Sequence, residues 1–498
     1  MDDPAHTKNG PELSRRRRLL ILLICSMSLL IVGLDVTVVN VALPAIHRDL
    51  HASFDGLQWT IDAYTLTIAS LLMLAGSTAD RIGRRKVFQV GLVLFSLGSL
   101  ACAVAPTLNL LIAARVLQAV GGSMLNPVAM SIIRNTFEDP RERAQAIGVW
   151  GAVIGVSLAL GPVVGGALVD SVGWRSVFIV NVPVGMLALL LTALYVPESR
   201  APHARRIDPV GQILVIVALS SLTYAIIEGG RVGFSDPGII ALFCVSLASF
   251  AFLVFYELHR REPLLEMRFF KSVPFSGASA IAVCAFAGQG GFLFLNTLYL
   301  QDVRGLSPFE AGLYVLPMAA MTLVFAPISG RIVGRHGSRG PLVVAGAALT
   351  IAAVMLTQIS ADTSTAYLLG AYFVFGFGFG LVNPPITNTA VSGMPGSQAG
   401  VAAAVASTSR QVGNTLGVAI VGAVAGAGVS GALGKSFATA THASWWIIAG
   451  LSFIILVLGV ATTSRWARET AEQTANRFRE GGPGVRAQRY PQGEAAPG

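Results

Sequence analysis

The sequence predicts an all-α polytopic membrane protein: two six-helix bundles plus two inserted transmembrane helices, fourteen spans in all. Three observations carry this. Of 498 residues, 53% are hydrophobic and only 12% charged, whereas soluble domains carry about 25% charged residues. Apolar stretches of about 20 residues, the length that crosses a bilayer as a helix, recur from end to end. A short pattern also returns at a fixed distance: Gly76, Arg81, Gly83 and Arg85 are matched at an offset of 254 by Gly330, Arg335, Gly337 and Arg339. Each copy follows the second helix of its six-helix block, as a duplicated bundle requires.

Residues 1–18 read as a basic tail ending in Arg15 to Arg18. Arginines before an apolar run could open a secretory signal. The run continues from Leu19 to Pro44 with no small-residue cleavage pattern, so it reads as a retained first helix. Spans follow near 19–44, 57–79, 87–105, 107–131, 145–168 and 176–196, which gives a first bundle over 19–200. After the polar connection 197–206 come the inserted pair, near 210–229 and 237–258, assigned to 207–258. The second bundle, 274–464, takes spans near 276–300, 310–333, 340–358, 366–391, 399–429 and 443–464. Residues 465–498 are polar and end rich in Gly and Pro, so they read as a disordered tail. The 54 glycines suit helices packed closely through small residues.

An even number of spans puts both termini on one side. Alternate assignment of the connections gives that side 28 of the 35 Lys and Arg residues, the other side 5 and the helix interiors 2, Arg115 and Arg410. The positive-inside rule then places both termini in the cytoplasm, in a plasma-membrane protein whose first partner is the lipid bilayer. Because the net charge of +9 lies in short connections, nucleic-acid binding is not indicated. The four cysteines fall in apolar runs without CxxC spacing and no histidines pair at ligand spacing on a helix, so no metal is expected. No P-loop, cofactor fingerprint or set of nucleophile, base and orienter appears. A monomeric, non-enzymatic protein without a cofactor is expected.

Two acids, Asp35 and Asp62, interrupt apolar stretches. A carboxylate inside a bilayer costs several kcal/mol unless it is paired, neutralised or facing water, and so by default marks a function. Here the pair suggests proton-coupled transport. Residues near 31, 38, 39 and 42 share a helix face with Asp35, which lets its carboxyl aim into a cavity between the bundles as the main proton carrier. A structural ion pair with Arg115 is the alternative, and the two readings are compatible. Asp62 is the second proton candidate, or a contact for a cationic substrate.

The stretch Gly76 to Lys86, GSTADRIGRRK, is similar to the loop signature of the major facilitator superfamily. Its glycines Gly76 and Gly83 allow a tight turn, Asp80 can face a helix amino terminus or a neighbouring arginine, and Arg81, Arg84 and Arg85 supply positive charge. Three further stretches, LDVTVVNVALP (34–44), WTIDAYTL (59–66) and GVWGAVIGVSLALGPVVGG (148–166), resemble motifs of its fourteen-helix drug:proton antiporter family. WRSVFIVNVPVG (174–185) and YLQDVRGLSPFEAGLYVLP (299–317) extend the match. Ala119 and Ser157 stand where the family usually has glycine, and Gly334 takes the place of Asp80 in the second copy. Gating is therefore expected mainly from the first copy.

The resemblance implies the major facilitator fold and alternating access, with protons as the only coupling ion and small drug-like molecules as substrate. Gly161 and Pro162 should bend the fifth helix, with Gly165 and Gly166 letting the bundles approach closely. Polar groups expected to line a cavity are Trp59, Gln118, Gln289, Asn296, Asn383 and Arg410, although each could instead bond between helices. The expected function is multidrug or antibiotic efflux of amphipathic or cationic compounds. Alternatives are an exporter of one metabolite, lipid or self-made antibiotic, an importer, or a non-transporting receptor or scaffold.

Overall fold

A computed structural model of the chain describes residues 14–201, 207–260, 263–392, 394, 399–428 and 435–480. Every regular element among them is helical. In chain order the first block holds α1 (Arg15–Leu50), α2 (Phe54–Ile82), α3 (Arg84–Ala103), α4 (Leu108–Thr136), α5 (Pro140–Ser171), α6 (Ser176–Ile179) and α7 (Asn181–Tyr195). The inserted pair is α8 (Pro209–Val232) and α9 (Pro237–His259). Then come α10 (Val273–Leu298), α11 (Pro308–His336), α12 (Arg339–Leu356), α13 (Thr365–Val391), α14 (Ala399–Ala427), α15 (Lys435–Ala440), α16 (His442–Ala461) and α17 (Arg465–Glu480).

Thirteen stretches of the described residues are long and apolar enough to span a membrane, with α6 and α7 forming one of them. The fourteenth expected span, α14, is a helix of 29 residues, ample for a bilayer. Arg410, Gln411 and Asn414 lower its hydropathy.

Local chemistry sets many of the boundaries. Three helices open on an Asp-Pro pair. Asp139 caps α5, Asp208 caps α8 and Asp236 caps α9, each carboxylate accepting from backbone N–H groups of the first turn, with proline in the first turn where no donor is lost. Thr107 and Ser364 cap α4 and α13 in the same way.

The chain divides into two compact units. One comprises Met1–Ala52, Leu71–Ile207 and Ser307–Leu313; the other comprises Ser53–Ser70, Asp208–Leu306 and Tyr314–Gly498. Within the first, α1 packs on α5 and α3 on α4, with α7 against α1 and α3. Within the second, α10 packs on α14, α12 on α13 and α16, and α8 on α9 and α14.

The structure departs from the sequence reading in three places. The amino-terminal half of α2 groups with the second unit, because Gln58 donates to the Val418 and Ala419 carbonyls and Gln212 to the Ser70 carbonyl. The four arginines assigned to the 1–18 tail open α1, which Ser14 caps. Residues 465–480 of the tail expected to be disordered form α17. Ala467, Ala471, Thr474 and Ala475 are buried along one face, a helical spacing. The rest of that tail, 481–498, lies outside the described residues.

Candidate functional site

Asp35 sits mid-way along α1 with its side chain 0% exposed. Its carboxyl points into the interior of the first unit, not into an open cavity. Arg115 Nη1 donates to one oxygen at 2.5 Å; Gln118 Nε2 and Asn181 Nδ2 donate to the other at 2.7 and 3.0 Å. Ser99 Oγ accepts from Gln118 at 2.7 Å and from Asn181 at 3.3 Å, and Arg115 also donates to Gln118 Oε1 at 2.7 Å. Three helices therefore meet at one carboxylate, and α3 joins them through Ser99. Arg115 and Gln118 are one turn apart on α4, so both reach it from one face. The Phe178 ring lies 5.8 Å from the guanidinium. Such charge-assisted bonds are the strong ones, and the buried pair carries no net charge.

Asp62 has opposite surroundings. It is fully buried in α2, yet its carboxyl receives one long bond, 3.4 Å, from Thr65 Oγ1. Its Oδ2 has no hydrogen-bond partner among the described residues. Thr415 of α14 donates to Thr65 Oγ1 at 2.9 Å, so a chain of two hydroxyls leads from α14 to the acid. Trp59, one turn earlier, packs its ring 5.7 Å from that of Tyr224 on α8.

Across the turn from α2 to α3, Asp80 in the last turn of α2 pairs with Arg84 at the start of α3 at 2.9 Å, the arginine option of the two expected. The α3 amino terminus is taken by Glu198, which accepts from the Arg85 and Lys86 N–H groups at 3.1 and 3.3 Å. Arg84 N donates to the Ser199 carbonyl at 2.9 Å, and Ala201 N to that of Asp80 at 3.0 Å. Gly83 has φ +134° and stands against the Glu198 carboxylate, 2.7 Å from where a Cβ would lie; the positive φ is what favours glycine here. The second copy keeps a positive φ at this point, Gly337 having φ +82°.

Helices α1 and α5 cross on small residues. A Cβ on Gly161 would fall 1.8 Å from Thr37 Oγ1, and one on Gly165 would fall 2.9 Å from Val38. Ser157 faces Gly33, where a Cβ would lie 2.7 Å from its Oγ, so a serine in place of glycine still permits the crossing. Gly166 abuts the first turn of α11, where a Cβ on it would stand 2.4 Å from Pro308 O. Pro162 lies within α5, which continues to Ser171.

Residues 25–418 match the family profile of the Major Facilitator Superfamily. The chain belongs to this superfamily. It is 37% identical over 418 residues to the multidrug resistance protein Stp of Mycobacterium tuberculosis, covering 84% of this chain and 78% of that protein. It is 36% identical to the tetracenomycin C resistance and export protein of Streptomyces glaucescens (84% and 78% covered), and 32% identical to the methylenomycin A resistance protein of Bacillus subtilis (89% and 91%). A peptide transporter solved with sulfate shares the fold at TM-score 0.66 and 14% identity, over 90% of this chain and 95% of that one. So does a D-xylose–proton symporter, at 0.64 and 15%, over 89% and 97%. The family recognised from the motifs is thus the family found.

Within this major facilitator chain, the residues assigned to a cavity separate into groups. Gln118 is fully buried in the Asp35 network. Asn296 is buried, and its Oδ1 accepts from the Tyr372 hydroxyl. Gln289, 5% exposed, lies two turns before it on α10. Asn383 and Arg410 come together, Arg410 Nε donating to Asn383 Oδ1 at 3.0 Å.

Sequence reasoning missed Asn181, Ser99, Glu198, Tyr372 and the Thr65–Thr415 pair. Asn181 had a usable signal, a lone amide before Pro183 in an apolar run. The others carried none, because their roles depend on which helices become neighbours.

Proposed function

We propose that the protein is a proton-coupled antiporter. It exports small amphipathic or cationic drug-like compounds across the cytoplasmic membrane by alternating access, with both termini in the cytoplasm. The observation carrying this reading is the contrast between its two intramembrane acids. Asp35 is neutralised by Arg115 at 2.5 Å, whereas Asp62 is equally buried with one 3.4 Å bond from a hydroxyl. A charged carboxylate without a cation in such a place costs several kcal/mol, and binding a proton removes that cost. Asp62 is accordingly the carrier, and the Asp35–Arg115 pair holds the helices of the first unit in register. This exchanges the order of the two acids given by the sequence.

The names of the relatives, which include a multidrug resistance protein and an antibiotic resistance and export protein, support drug efflux. Protons suffice as the driver. One entering down 100 mV supplies about 2.3 kcal/mol, and each pH unit adds about 1.4 kcal/mol. Everted vesicles carrying the full chain test the reading. Acidifying their interior should drive dye inward, a protonophore should abolish this, and Asp62→Asn should do the same at unchanged expression. Accumulation that survives the protonophore would exclude proton coupling.

A further inference from the structure

Away from the ends of the membrane-spanning helices lie two arginines, Arg115 in α4 and Arg410 in α14. The charge of Arg115 is cancelled by Asp35. That of Arg410 is not, since no ion pair among the described residues includes it. Its protein partners are neutral acceptors. Nε donates to Asn383 Oδ1 at 3.0 Å, Nη2 to Thr387 Oγ1 at 2.5 Å and Nη1 to Ser407 Oγ at 3.4 Å. Three of five N–H donors are thereby used, which leaves one on each terminal nitrogen. Thr387 is exposed and Arg410 itself is partly exposed, so the guanidinium can be reached. The Phe286 ring lies 5.9 Å from it and packs edge-on against Phe379 at 5.4 Å, so an aromatic wall stands beside the charge.

We propose that Arg410 binds the acidic group of the exported compound, so that the protein's substrates are amphipathic organic acids. This rests on the export reading and narrows it, removing cationic compounds from the class. A guanidinium with a free donor on each terminal nitrogen takes a carboxylate bidentately. The neutral acceptors fix its plane without satisfying its charge, and the partly exposed Phe286 ring, backed by the buried Phe379, receives the apolar body of the ligand. A purely structural brace between α13 and α14 would need the three hydrogen bonds and no charge. Retaining an uncompensated cation inside a bilayer marks a ligand site.

The test uses the full chain in lipid nanodiscs and three probes that share one fluorescent ring: 1-pyrenebutyrate, its methyl ester and 1-pyrenebutylamine. Wild-type protein is expected to bind the carboxylate about tenfold or more tighter than the ester, as a hydrogen bond to a charged group allows, and the amine least. Arg410→Gln should bring the acid-to-ester ratio close to one, and Arg410→Lys should restore part of it. The proposal is overturned if wild-type protein favours the ester or the amine, binds none of the three saturably, or if Arg410→Gln retains the ratio. The wild-type order decides even if a variant fails to fold. Binding is read without a gradient, so an Arg410-dependent acid preference with no uphill extrusion would sink the export reading alone. Extrusion with no acid preference would sink this proposal alone.

Discussion

At Asp35 and Asp62 the same side chain carries opposite consequences for stability. Asp35 holds three donors from two other helices and the charge of Arg115. Asp35→Asn leaves that guanidinium buried without a counter-charge, a change that costs about 3–5 kcal/mol. Thermal unfolding in one detergent should show it, and the double variant Asp35→Asn with Arg115→Gln should regain most of the loss. A double variant no more stable than the single one would deny that the pair acts as a unit. Asp62→Asn keeps the shape and can still accept from Thr65, so stability should change by no more than about 1 kcal/mol while coupling is lost. The sequence made Arg115 and Gln118 legible because a basic group and an amide interrupt an apolar span. Ser99 and Asn181 were not legible, since tertiary packing alone brings α3 and α7 to that carboxylate.

At the scale of helices, close packing and caps explain what each element tolerates. Gly166→Val places branched carbon where Pro308 O and Phe309 Cα would lie 2.4 and 2.6 Å from a Cβ. Backbone cannot yield as a flexible side chain can, so α5 must part from the first turn of α11. Overpacking of this kind costs about 1–3 kcal/mol, and transport in vesicles should fall with it; a fully active Gly166→Val would show that the contact opens freely. Helix α17 provides the second case. Thr470 Oγ1 accepts from Val273 N at 3.1 Å, and Phe478 packs 5.3 Å from Phe269 with Arg268 4.9 Å from its ring. Truncation after Ser464 should strip the start of α10 of this cover and lower the unfolding temperature. A truncated protein as stable as the full chain would mean that α17 docks without contributing. The Gly and Pro of the last residues hid this helix in the sequence, although its alanine spacing was there to be read.

For the whole molecule, the class, the count of spans and the repeat were legible, because bilayer thickness fixes helix length and duplication preserves glycines such as Gly83 and Gly337 at positive φ. The grouping of the first half of α2 with the second unit was not, since hydropathy carries no record of which helix a span touches. Orientation is the remaining global property, and the charge distribution commits to it. With 28 basic residues assigned to one face and 5 to the other, inverting the protein would move most of its Lys and Arg against the rule that sets topology. Arg200 lies before α8, and Ser235 lies between α8 and α9, both exposed; one span separates them. With Cys25, Cys102, Cys244 and Cys284 replaced by alanine, a membrane-impermeant maleimide added to intact cells should label Ser235→Cys at once. It should reach Arg200→Cys only after the cells are opened. The reverse pattern would put the termini outside, and labelling of both from one side would mean that α8 does not cross the bilayer. The reverse pattern would also remove the direction of proton entry on which export through Asp62 depends, because the inward gradient would then act on the opposite face.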